Sequence, residues 1–173
     1  ITLNHHKELD NYKMSLALWN KFVVIGVPWL DNGQIIIFTI PEFTFSKLTT
    51  IIENGQVITP DDGKTNDNFG SSLAFTSENT LYVGSPYHQE TGVIYVYTYS
   101  LEGSIWFLSN MLVPESPYFT RLFGSSISTY GLNNMIGTTM YQLQPSSTVT
   151  ILTFNNLKKS QPNPYSSSSN NND

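Results

Sequence analysis

A chain that repeats itself folds as stacked copies of one unit, so internal self-similarity constrains this sequence more than any other feature. Phe69-Gly70-Ser71-Ser72-Leu73-Ala74 is followed by Leu81-Tyr82-Val83-Gly84-Ser85-Pro86 and then by Gly92-Val93-Ile94-Tyr95-Val96-Tyr97. The same order returns downstream as Phe123-Gly124-Ser125-Ser126-Ile127-Ser128, Met135-Ile136-Gly137-Thr138-Thr139 and Val149-Thr150-Ile151-Leu152-Thr153-Phe154. An earlier copy lies upstream, where Tyr12-Lys13-Met14-Ser15-Leu16-Ala17 replaces the opening, Val24-Ile25-Gly26-Val27-Pro28 the middle and Gly33-Gln34-Ile35-Ile36-Ile37-Phe38 the end.

Within each copy the apolar residues come in short β-branched and aromatic bursts bounded by Gly, Pro, Asn and Asp, which is strand chemistry. The middle copy predicts strands at residues 71–75, 81–84, 93–99 and 105–113, four antiparallel strands that make one propeller blade. Val23-Val24-Ile25 and Ile35-Ile36-Ile37 are continuous apolar runs rather than alternations. Blades stacked face to face bury both sides of their middle strands and explain such runs; isolated sandwich strands are the competing account. The expected class is all-β, with about three four-stranded antiparallel blades of a β-propeller. Blade A spans residues 9–59, blade B 60–113 and blade C 114–157, the last without a recognisable fourth strand. Residues 1–8 are a lead-in or closing strand, and the Ser- and Asn-rich stretch 158–173 is expected to be a disordered polar tail. Closed propellers use about four to eight blades, so this chain is expected to be incomplete alone. The remaining blades would come from a preceding segment or a partner chain, covering two otherwise open apolar faces.

Only 12% of the residues are charged, and 8 Lys and Arg against 13 Asp and Glu give a net charge of −5. The few cations are scattered, so nucleic-acid binding, which rests on clustered positive charge, is not expected. There is no cysteine, hence no disulfide, thiolate metal site or cysteine nucleophile. The longest apolar run, residues 22–30, is interrupted by Gly26 and Pro28 and falls well short of the ~18 residues that span a bilayer. No membrane span is expected. The start, Ile1-Thr2-Leu3, lacks an initiator Met and a signal pattern, so a processed product or a piece of a longer chain is expected. None of the asparagines opens an Asn-x-Ser/Thr sequon.

The three spaced motifs, Phe69-Gly70 with Ser72-Leu73-Ala74, Val83-Gly84-Ser85-Pro86 and Gly92 through Tyr97, resemble the FG-GAP repeat of integrin α-subunit propellers. Phe69-Gly70 matches the Phe-Gly pair, and Gly84-Ser85-Pro86 stands for Gly-Ala-Pro. The resemblance runs from Tyr12 to Phe154. It is strongest in the middle copy, and the third copy departs from it at Gly137-Thr138-Thr139. It implies a propeller of seven blades, of which this chain supplies about three. The polar stretch from Asp61 to Asn68 is similar to the lead-in of calcium-free members. Independently of the family, Gly26, Gly70, Gly84, Gly124 and Gly137 are expected where a neighbouring strand comes too close for a Cβ, and Pro28 and Pro86 where the second strand ends. Phe69 and Phe123 are expected to be buried between sheets.

Integrin-type blades often carry an Asp-rich calcium loop between their first two strands. The equivalent stretches here, residues 18–21, 76–80 and 129–134, hold a single carboxylate, Glu78, so neither a metal nor another cofactor is expected. Asp61, Asp62 and Asp67 form the only carboxylate cluster and read as a solvated turn. Gly63-Lys64-Thr65 lacks the first glycine of a phosphate loop, because position 58 is Ile58. His5-His6 has no third ligand in sight, and His88 stands alone beside Tyr87. There is neither a Gly-x-Ser-x-Gly elbow nor a His-Glu-x-x-His pair, so no catalytic residue is expected in this chain.

Binding is the better expectation. In the propellers that this chain resembles, the ligand face is built from the loops joining strands two and three and from those joining one blade to the next. That resemblance places Trp29, Leu30, Tyr87, His88, Tyr118 and Phe119 as candidate ligand-binding residues. Large apolar side chains in loops are typical interface anchors, although they can equally cap the blade tops. The expected role is a non-catalytic recognition scaffold for a protein or membrane-associated ligand, extracellular or at the cell surface. Repeats of this type also form the accessory module of phospholipase D enzymes specific for glycosylphosphatidylinositol anchors, which makes a fragment of such a lipid hydrolase the alternative. The absence of cysteine and sequons is equally compatible with an intracellular scaffold.

Overall fold

A computed structural model describes residues 13–40, 55–76, 79–114, 120–130, 135–142 and 148–152, which form antiparallel β-sheets and a short 3-10 turn at His88–Glu90. The first sheet contains β1 (Ser15–Trp19), β2 (Phe22–Val27), β3 (Gln34–Thr39) and β4 (Gln56–Ile58) in that spatial order. Asn20 starts its first hairpin at φ +51°, a left-handed conformation that asparagine tolerates better than most residues. The second sheet repeats the plan with β5 (Ser72–Phe75), β6 (Thr80–Ser85), β7 (Val93–Ser100) and β8 (Ile105–Leu112). These strands fall within a residue or two of the positions expected from the middle copy. The third sheet has β10 (Ile127–Tyr130), β11 (Met135–Gln142) and β12 (Thr148–Leu152), with β9 (Thr120–Arg121) also paired to β11. The expected lead-in 1–8, the tail 158–173 and any strand after β12 lie outside the described residues.

Register reveals the repeat more sharply than the sequence does. In the first sheet Ser15 faces Gly26, which faces Ile35. In the second, Ser72 faces Gly84, which faces Ile94. In the third, Ser128 faces Gly137, which faces Ile151. Each sheet therefore carries one Ser–Gly–Ile rung, although Ser128 stands four residues after Gly124 where Ser72 stands two after Gly70.

The sheets pack in chain order through their first strands: β1 lies against β5, and β5 against β10. Phe22, Val24, Ile35 and Ile37 from the first sheet meet Leu81, Val83, Tyr95, Tyr97 and Trp106 from the second in one core. Aromatic rings dominate it, with Phe22 4.7 Å from Tyr99 and 5.1 Å from Trp106, and Phe69 edge-on to Tyr95 at 5.1 Å. Tyr82, Ile94, Val96 and Leu112 emerge on the opposite face of the second sheet and close over Phe123. Both faces of β6 and β7 are thus dry, which explains their unbroken apolar runs. Four-stranded antiparallel sheets in this arrangement are consistent with propeller blades; among the described residues they do not close a ring.

Candidate functional site

One end of the first two sheets gathers the β2–β3 turn, the connection 59–71 and the β6–β7 turn. The sequence builds this end from glycine and from short polar residues that bond their own backbone. Gly33 (φ +88°) forms a parallel bridge with Phe69, and Gly92 (φ +90°) forms the same bridge with Phe123. Phe69 N–H donates to Asn32 O at 3.3 Å, and Phe123 N–H to Thr91 O at 3.0 Å. Each Phe-Gly pair is therefore pinned to the β2–β3-type turn of the preceding sheet, with its ring fully buried.

Asp67 organises the connection. Its backbone carbonyl accepts from Ser85 Oγ at 2.9 Å and from Tyr87 N–H at 3.3 Å. Its carboxylate Oδ2 accepts from Lys64 N–H at 2.8 Å and lies 2.8 Å from His88 Nδ1. On the other side of the imidazole, Nε2 lies 3.5 Å from Asp62 Oδ2, and Asp62 Oδ1 accepts from Tyr95 Oη at 2.7 Å. His88 is 4% exposed and Asp67 is buried, whereas the Asp62 side chain reaches water. His88 thus ties the loop to the β6–β7 turn through its hydrogen bond to Asp67, with the Asp62 carboxylate close to an Nε2 that has no hydrogen-bond partner.

The tyrosine hydroxyls behind this bridge hold their protons firmly. Burial raises the Tyr95 phenol well above its ordinary value, and the hydrogen bond to Asp62 raises it further. Burial also raises Tyr97, helped by the charges of Asp61 and Asp62. A phenol held in its neutral form is no nucleophile, and His88 Nε2 has no exposed surface from which to act as a base. The cluster therefore serves as a clamp on the loop. Among the described residues no group of three or more His, Asp or Glu side chains is placed to hold a metal ion, and no helix is long and apolar enough to cross a membrane.

The residues expected to bind ligand separate around this clamp. Tyr87 is 53% exposed, and Trp29 and Leu30 are exposed on the neighbouring β2–β3 turn. His88 is buried inside the clamp, with partners that sequence adjacency to Tyr87 does not suggest. Tyr118 and Phe119 lie outside the described residues. Pro28 and Pro86 are buried directly after β2 and β6. Of the solvated turn expected at Asp61, Asp62 and Asp67, Asp61 and Asp62 meet water, but Asp67 is an interior group.

A second concave feature lies on the outer rim, where β4 and β8 leave an open cavity of about 280 Å³ lined by Gln56, Pro60, Asp61, Tyr97, Trp106 and Phe107. Gln56 spans the gap between the sheets: its Nε2 donates to Trp106 O at 2.9 Å, and its Oε1 accepts from Trp106 N–H at 3.0 Å. Strands from different repeats build this cavity, so no local motif announces it.

Compared with known proteins, residues 53–97 match the family model described as the FG-GAP repeat, a stretch that runs from β4 into β7. No curated protein matches the chain.

Proposed function

We propose that this FG-GAP-bearing chain is a non-catalytic segment of a β-propeller that serves as a recognition scaffold within a larger assembly. One observation carries the reading. The face of the second sheet that presents Leu73, Phe75 and Met111 packs into the core against the first sheet. Register makes Leu16, Leu18 and Val57 their equivalents on the first sheet, pairing with Ile25, Val23 and Ile36 as Leu73, Phe75 and Met111 pair with Val83, Leu81 and Tyr95. Leu16 is 62% and Leu18 63% exposed, and Val57 is exposed as well. An apolar strip that is partly buried against a neighbouring sheet in the second repeat and open in the first calls for a further sheet, from a preceding segment or a partner chain. Trp29, Leu30 and Tyr87 then form part of a recognition surface for a protein or membrane-associated ligand, with the Asp67–His88 clamp holding its loops in place. The resemblance to adhesion-receptor propellers supports an extracellular or cell-surface setting.

The test is the particle mass in non-denaturing solution for the chain and for Leu16→Asp. Association into particles heavier than a single chain, abolished by Leu16→Asp, is expected. A stable, folded monomer overturns the reading.

A further inference from the structure

Gly70 and Gly124 occupy equivalent seats. Gly70 lies on the rung Ser15–Gly26–Ile35: Ser15 Oγ donates to Gly70 O at 2.6 Å, and a Cβ on Gly26 would collide with that carbonyl. Gly124 lies on the rung Ser72–Gly84–Ile94, with Ser72 Oγ donating to Gly124 O at 2.6 Å and the same collision at Gly84. The seated residue must itself be glycine. Gly70 and Gly124 have φ +88° and +82°, and a Cβ there would press within 3.1 Å of Ile35 and 2.9 Å of Ile94. The seat therefore has a chemistry: a hydroxyl donor, a gap where a side chain is missing, and a branched wall that admits a left-handed glycine and its carbonyl.

In the third sheet the backbone pairs Ser128 with Gly137 and Gly137 with Ile151, the same order of residue types, two positions further from the Phe-Gly pair than in the second sheet. Ser128 is exposed, and among the described residues no glycine carbonyl is seated on it. The sequence contains two Phe-Gly pairs, at 69–70 and 123–124, and both are already seated. We infer that the Ser128–Gly137–Ile151 rung is a docking site for the Phe-Gly turn of a further repeat supplied from outside this sequence. Continuity with the two existing interfaces identifies the occupant. A second copy of this chain presents Tyr12-Lys13 where its first repeat would need Phe-Gly, and a side chain at the glycine position blocks the seat. The inference rests on the propeller reading but concerns the opposite end of the stack from Leu16 and Leu18.

The experiment uses the full chain and a fluorescent synthetic peptide with the sequence of residues 62–76, which carries Phe69-Gly70. Saturable binding that slows amide exchange in β10 and β11 is expected. Ser128→Ala should weaken it about fivefold, the worth of one neutral hydrogen bond. Gly137→Val should abolish it, with circular dichroism to verify that the variant folds; the exposed Ser128→Ala keeps the test decisive if it does not. A peptide carrying Gly70→Val should be inert. Absence of binding, equal binding of the Gly70→Val peptide, indifference to Ser128→Ala, or displacement of the peptide by a second copy of the chain overturns the inference. Failure here together with a Leu16-dependent assembly refutes the docking site alone, whereas a stable monomer refutes the reading beneath it.

Discussion

A methyl group on Gly84 would occupy the space of the Gly124 carbonyl, with Ser72 Oγ crowding it from the same sheet. Gly84→Ala must therefore push the third sheet away from the second, at a cost of about 3 kcal/mol. Urea unfolding should show that loss, while Gly103→Ala, in the exposed β7–β8 turn, should stay within about 0.5 kcal/mol of the parent. At Tyr95 the effect depends on pH. The folded phenol is raised above its ordinary value of 10.0, so the unfolded chain ionises first. Its contribution to stability is complete below about pH 10 and shrinks as pH climbs above that, by up to about 1.4 kcal/mol per pH unit. Tyr95→Phe should make this alkaline limb shallower in thermal unfolding, leaving the part due to Tyr97, while weakening the loop at neutral pH because Asp62 loses its donor.

Strand β8 forms the outer edge of the second sheet, and an unpaired edge invites association. Two devices blunt it. The Gln56 side chain satisfies both backbone groups of Trp106, and a register shift breaks the β7–β8 ladder between Val96 and Tyr97. Ser109 fills the break, donating to Val96 O at 2.9 Å and accepting from Thr98 Oγ1 at 2.8 Å. Gln56→Ala leaves a half-buried N–H and C=O without partners and should cost about 2 kcal/mol by chemical denaturation. Gln56→Glu, which keeps the acceptor and loses the donor, should fall between the two. The four strands of this sheet were legible in the sequence because each is a local burst of apolar residues closed by turn residues. The Gln56 bridge was not, since it joins strands of different repeats.

Among the described residues the main contacts between sheets join neighbours in chain order, so damage should stay local. Phe123 is fully buried against Tyr82, Ile94, Val96 and Leu112 and is the anchor of the third sheet on the second. Phe123→Ala should cost roughly 3 to 5 kcal/mol. Hydrogen exchange should show that the amides of β10 to β12 lose protection first, while those of β2 and β3 keep theirs.

What this sequence determined by itself is the four strands of the middle copy, their order and the recurrence of the unit, because short apolar bursts, turn chemistry and repetition are all written locally along the chain. The glycines expected at close approaches could be named for the same reason: a residue without a side chain inside a strand marks where something else must fit. Only the tertiary structure decided what fits there. It matched Ser15 to Gly70 and Ser72 to Gly124, took His88 out of solvent and set it between Asp62 and Asp67, and left Leu16 and Leu18 open where Leu73 and Phe75 are partly covered. Those pairings depend on the register between sheets built from successive repeats, and no window of neighbouring residues contains both partners.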